Sequence, residues 1–156
     1  MPPISLTIGS TLEHDTIIFQ KRWSIRTAGR GLVDITRAIR ARLSESQVRV
    51  GQCTIFLEHT SASLLITENA DPTVKEDLER VFGRLAPDGD PIYQHDAEGP
   101  DDMAAHIRTA LTQNSLVIPI IDGRLGLGTW QGICLWEHRY NPHIRWVSVT
   151  AVGHRR

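Results

Sequence analysis

Apolar and polar positions repeat with two different periods along this chain, and the changes of period mark its elements. Residues 16–26 (TIIFQKRWSIR) are rich in β-branched and aromatic side chains and predict a strand. Gly29-Arg30-Gly31 predicts a turn. After Asp34, the residues Ile35, Ala38, Ile39 and Leu43 recur at helical spacing, which predicts a short amphipathic helix ending near Ser44. From Val48 to His59 the period is two, so Cys53, Ile55, Leu57 and His59 share one face of a strand. Residues 64–67 (LLIT) predict a further strand. Asp71-Pro72 is a strong helix start, and Val74, Leu78, Val81, Phe82 and Leu85 follow as one buried stripe. A third helix is expected over 101–112, with Met103, Ile107 and Leu111 inward. The continuous apolar run 115–121 predicts a buried strand. A glycine-punctuated loop, 122–128, leads to the last strands, 130–138 and 144–152.

Strands dominate, and helices do not alternate with them regularly. That excludes a doubly wound sheet, and a (β/α)₈ barrel typically needs about 250 residues, against 156 here. The expectation is an α+β, β-rich chain: two packed sheets with two or three flanking helices. Residues 1–15 read as a loose leader and 16–156 as a single domain. Lys and Arg total 17 against 18 Asp and Glu, so no overall positive field attracts nucleic acid. No stretch approaches the ~20 apolar residues of a membrane helix, and the N-terminus lacks a secretory signal pattern. A cytoplasmic protein with reduced thiols is expected. Cys53 and Cys134 fall inside apolar strands and read as inert core groups.

Three segments concentrate chemistry. His59-Thr60-Ser61 and Glu68-Asn69-Ala70-Asp71 place an imidazole, hydroxyls, carboxylates and an amide at strand ends and a helix start. Such groups can hold an anion or move a proton; equally, Asp71 can serve only as a helix cap. His95-Asp96 and His106 offer imidazoles beside carboxylates, matching no short zinc signature. They read either as ligands or as packed, hydrogen-bonded side chains. The loop DGRLGLGTWQG (122–132) sets Gly123, Gly126 and Gly128 around Arg124. Its N–H groups can form an anion nest, or its glycines can simply permit a tight turn. For Trp130, core burial is the commoner role and a ring platform the alternative. His14, His138, His143 and His154 read as surface residues.

Taken together, the runs HTSASLLITENADPTVKEDLERVF, YQHDAEGPDDMAAHI and GRLGLGTWQGICLWEHR resemble the YjbQ-type proteins, often called secondary thiamine-phosphate synthases. The resemblance covers residues 16–153; the longer leader and Asp122 before Gly123 are its departures. It implies a two-sheet, jelly-roll-like sandwich and a homotrimer with sites near subunit boundaries. It further implies a polar cluster of His59, Thr60, Ser61, Glu68, Asn69, Asp71, His95, His106, Trp130 and Gln131. The candidate metal ligands are His59, His95 and His106, for a divalent ion, zinc first, or magnesium with a pyrophosphate substrate. The implied activity is a transferase reaction joining a pyrimidine pyrophosphate to a thiazole phosphate. In that reading His59, Glu68 and Asn69 are catalytic. Thr60, Ser61, Asp71, Arg124, Gly126, Gly128, Trp130 and Gln131 bind substrate. The alternative is a non-catalytic trimer that holds a metal and a small anion. The glycine loop, the helix start at Asp71 and His59 are expected to face one pocket.

Overall fold

Period-two patterning folds into two antiparallel sheets in the computed structural model, which describes residues 16–155. One sheet contains β1 (Ile17–Arg26), β3 (Val50–Leu57), β5 (Ser115–Ile121), β6 (Arg124–Leu125) and β8 (Ile144–His154). Its order is β1-β8-β3-β5-β6. The other contains β2 (Gly31–Asp34), β4 (Ala62–Glu68) and β7 (Gln131–Glu137), in the order β2-β7-β4. The helices are α1 (Thr36–Ser46), α2 (Pro72–Leu85) and α3 (Asp102–Leu111). The leader 1–15 lies outside the described residues.

The inward rows of both sheets meet in one core. Cys53, Ile55 and Leu57 of β3, Leu116, Ile118 and Ile120 of β5, and Val147 and Val149 of β8 face Leu64 of β4 and Ile133 and Leu135 of β7. Ile39 and Leu43 of α1 close one side. Each such aliphatic side chain contributes about 1.5–3 kcal/mol by leaving water. Both cysteines are buried, and desolvation pushes the Cys53 thiol up to about 11, as it also raises Cys134.

Several expectations change. Residues 115–121 form a half-buried strand, because Val117 and Ile121 point outward and are exposed. The turn expected at Gly29-Arg30-Gly31 passes directly into β2, which pairs with β7 from Gly31↔Glu137 to Asp34↔Cys134. Among the described residues α2 buries none fully; Val74, Leu78 and Phe82 of its apolar stripe are half-buried, and Val81 and Leu85 remain exposed. The buried side of α3 is Asp102, Ala104, Ala105, Arg108 and Thr109, while Leu111 is exposed. The loop 122–128 begins as a two-residue hairpin: Asp122 and Gly123 both have positive φ between Ile121 and its partner Arg124. This is the Asp-Gly turn that matches strand twist.

β7 is the central strand of its sheet and is buried on both faces after Gln131. The core lies on one side. On the other, Phe82 of α2 packs edge-on against Trp136 with ring centroids 4.6 Å apart, and the Trp136 indole N–H donates to Glu79. His138, expected at the surface, follows this strand inward and is fully buried.

Candidate metal centre

Asp102 begins α3 and His106 lies one turn later, so both side chains project from one helix face. His95 approaches from the preceding loop. One ligand atom from each of His95, Asp102 and His106 lies within 4.8 Å of the others. His95 Nε2 is 2.8 Å from Asp102 Oδ2, and His106 Nε2 is 3.5 Å from Asp102 Oδ1. The two rings have centroids 5.3 Å apart.

The hydrogen bonding fixes the tautomer of His106. Its Nδ1 lies 2.9 Å from the Thr60 carbonyl oxygen, which can only accept, so Nδ1 carries the proton and Nε2 presents a lone pair. A backbone carbonyl holding the far nitrogen is the usual second partner of a metal-ligating histidine. Asp102 Oδ1 accepts from Arg139 Nη1 at 2.6 Å. Asp102 Oδ2 is buried yet has no aligned donor, although His95 Nε2 is close. A buried carboxylate oxygen without a hydrogen bond is costly. His95 Nε2 lies beside that oxygen and His106 Nε2 beside Oδ1, an arrangement that lets a divalent cation take one ligand atom from each residue. The donor set, two nitrogens and one oxygen with coordination positions left over, suits zinc. Beside it a cavity of ≈ 390 Å³ is lined by Asp90, Tyr93, His95, Asp96 and Pro100, among others.

His59 adjoins Thr60, whose carbonyl holds His106, but its own ring is engaged elsewhere. Its Nε2 accepts from the Trp146 N–H at 2.7 Å, and Asn114 Nδ2 donates to its carbonyl. β3 ends at Leu57, so His59 has left the alternation that carried Cys53, Ile55 and Leu57 inward. Burial, followed by the positive charge of Arg145, lowers its pKa and keeps it neutral. The group of described ligands therefore has Asp102 where the family resemblance implied His59.

Thr60 and Ser61 stay at the His59 end, while Glu68, Asn69, Trp130 and Gln131 gather at the opposite end of β4. Six residue steps of strand, about 20 Å at ~3.3 Å each, separate Ala62 from Glu68. Glu68 pairs with Gln131, and the Asn69 N–H donates to the Trp130 carbonyl. Asn69 Nδ2 donates to Asp34 Oδ2, whose other oxygen accepts from the Thr36 N–H. Burial raises the Asp34 pKa, but these hydrogen bonds outweigh it and the net shift is downward. Asp71 caps α2, accepting from Thr73 N–H at 2.9 Å. Within the chain, Asp71 and the glycine loop thus do not share a pocket with His59. The nest is also filled from within: Gly123 N–H donates to Arg49 O, Gly126 N–H to Pro119 O, and Gly128 N–H to Gln131 Oε1. Trp130 is 66 % exposed, so of its two roles core burial is excluded.

The sequence model of the UPF0047, YjbQ-like proteins matches residues 21–154. The chain belongs to the YjbQ-like UPF0047 family. A UPF0047 protein of Synechocystis is 54% identical over 129 residues, 83% of this chain and 88% of that protein. YjbQ of Escherichia coli O157:H7 is 43% identical over 136 residues, covering 86% and 98%. The crystal structure of a YjbQ/UPF0047 protein from Clostridium acetobutylicum superposes with a TM-score of 0.77 at 36% identity, covering 84% of this chain and 98% of that one. A YjbQ-like protein of unknown function from Sulfolobus solfataricus shares the fold, with a TM-score of 0.81 at 23% identity over 90% of this chain and 100% of that one. No helix among the described residues is long and apolar enough to cross a membrane.

In this YjbQ-like chain a buried ionic network supports the centre, and the sequence reading missed it. Glu137 accepts from Arg145 Nε at 2.7 Å, Arg145 Nη2 at 2.5 Å, Thr27 Oγ1 at 2.9 Å and the Arg139 N–H at 3.0 Å. Burial raises the Glu137 pKa, but these donors more than offset it and hold the carboxylate below its ordinary range. Arg145 also reaches the Ser61 carbonyl, which steadies the turn supplying Thr60. Arg139 bridges Asp101 and Asp102. Beside it Ser63 Oγ contacts His138 Nε2 at 2.9 Å. Two signals were available: the EHR run at 137–139, and the four-residue spacing of Asp102 and His106.

Proposed function

We propose that this protein is a metal-dependent enzyme that handles small phosphorylated molecules, a transferase with thiamine-phosphate synthase-like activity. The reaction joins a pyrimidine pyrophosphate to a thiazole phosphate and releases pyrophosphate. The observation that carries the metal part is the buried, undonated Asp102 Oδ2 beside His95, with His106 at the carboxylate's other oxygen. When bound there, a divalent ion supplies Lewis-acid charge stabilisation for a phosphoryl oxygen or leaving pyrophosphate. His106 is oriented by the Thr60 carbonyl, and Asp102 by Arg139. His59, kept neutral with Nε2 accepting from the Trp146 N–H, carries its proton on Nδ1 and offers a donor there to a substrate oxygen.

The homotrimer belongs to the same proposal. The outer face of the five-stranded sheet leaves Ile18, Phe56, Val117, Ile121 and Val152 exposed. Those side chains lie on one face by the register Ile18↔Val152↔Gln52↔Pro119. Apolar area of that kind favours a symmetric partner. A cytoplasmic location accords with two reduced, buried thiols.

A second reading, a non-catalytic trimer binding a metal and a small anion, is favoured by one observation. Within a subunit the metal cluster and the Trp130 end stand at opposite ends of β4. Incubating purified protein with both thiamine precursors, with and without chelator, separates the two. Product that disappears with chelator and returns with zinc or magnesium supports the enzyme. Metal uptake without product supports the binding protein.

A further inference from the structure

Two adjoining cavities, ≈ 460 and ≈ 350 Å³, lie along α1 and share Arg40. Arg124 and Leu125 line the first; Arg37, Asn69 and Trp130 line the second. Arg37 and Arg40 are three apart on α1 and so lie on one helix face. Arg37, Arg40 and Arg124 are exposed, and none has an ion pair among the described residues. Asp34 is the carboxylate lining this groove, and its oxygens are already held by Thr36 and Asn69.

Trp130 supplies the second half. The other three tryptophans are covered. Trp136 is buried, Trp146 lies 3.8 Å beneath the Arg22 guanidinium, and Trp23 lies 4.0 Å beneath that of Arg42. Trp130 is 66 % exposed with no stacked ring or cation among the described residues. An open indole sharing a cavity with two free guanidiniums, with a third in the adjoining cavity, matches a planar ring that carries phosphate: stacking for the ring, forked donors for the oxygens.

We infer that this groove binds a small phosphorylated heterocycle through Trp130, Arg37, Arg40 and Arg124, independently of the His95–Asp102–His106 cluster. The inference deepens the phosphate-handling reading by naming a ligand class and a place, and it does not require the metal. An extended nucleic acid is disfavoured by the net charge of −1.

The test uses the full chain and three probes by calorimetry: ADP, adenosine and inorganic pyrophosphate. ADP is expected to bind more tightly than either fragment and to quench Trp130 fluorescence. Arg40→Ala should weaken ADP and pyrophosphate alike, by roughly ten- to hundred-fold. Trp130→Ala should weaken ADP roughly five- to hundred-fold while sparing pyrophosphate. His95→Ala should leave ADP affinity unchanged; a loss there would move the ligand to the metal cluster and overturn the assignment. Both groove residues are exposed, so circular dichroism should show folded variants. No ADP binding at millimolar concentration, or Arg40→Ala and Trp130→Ala binding like wild type, refutes the proposal. So does a single-stranded oligonucleotide that binds more tightly than ADP.

Discussion

Acidification from pH 7 to pH 5 should destabilise this protein through one side chain, His138. Burial among the cations Arg108, Arg30 and Arg145 lowers the imidazole pKa to about 3, with Glu137 opposing only in part. In the unfolded chain it titrates near 6.5. Below that value the unfolded state takes up a proton that the folded state refuses, so stability falls as pH falls from about 6.5 towards 3. The slope is about 1.4 kcal/mol per pH unit, which amounts to about 2 kcal/mol between pH 6.5 and 5. His138→Gln keeps a partner for Ser63 and removes the titration. Urea unfolding at fixed protein concentration, at pH 7 and pH 5, should therefore show a smaller loss for the variant by about that amount. The lowered pKa of His59 acts in the same direction but is common to both proteins and cancels. Equal pH losses in the two proteins would mean that His138 is not buried and uncharged, and would refute the packing of β7.

Further outcomes test other parts of the structure. Glu137→Ala leaves Arg145 buried without its carboxylate and should cost about 3–5 kcal/mol in urea unfolding, with Tm falling by roughly 6–20 °C. In the wild type, the depressed Glu137 pKa gives stability that is present above its unfolded value near 4.5 and lost as pH falls through the lower folded value. His95→Ala, at a half-exposed side chain, should keep the fold by circular dichroism and lose at least about ten-fold in zinc affinity by competition with a chromogenic chelator. Cys53 and Cys134 should resist a thiol reagent in the native protein and react fully in denaturant, since burial raises both thiols.

How much was legible in the sequence depended on where each element sits. β3 and β8 are covered on one face, so period-two patterning found them directly. β2 was hidden because four residues after a glycine carry too little pattern, and its pairing with β7 is a long-range event. β7 misled the assignment of His138, because a central strand under a helix loses the polar side that marks a surface. In α3 the large apolar residues are not the buried ones; Asp102 and Arg108 are, held by partners far away in sequence. At the site, His95 and His106 could be found by residue type. Asp102 required seeing that helix spacing places it under His106. The glycine loop looked like an anion nest because sequence shows which N–H groups exist, not which acceptors, such as Arg49 O and Pro119 O, already hold them.

The central claim is a divalent metal centre formed by His95, Asp102 and His106. It is tested most directly by anomalous diffraction at the zinc edge from crystals of the protein grown with zinc. The expected result is one strong peak about 2.0–2.2 Å from His95 Nε2, His106 Nε2 and Asp102 Oδ2. A peak bound elsewhere, or none at these atoms at saturating zinc, would contradict it.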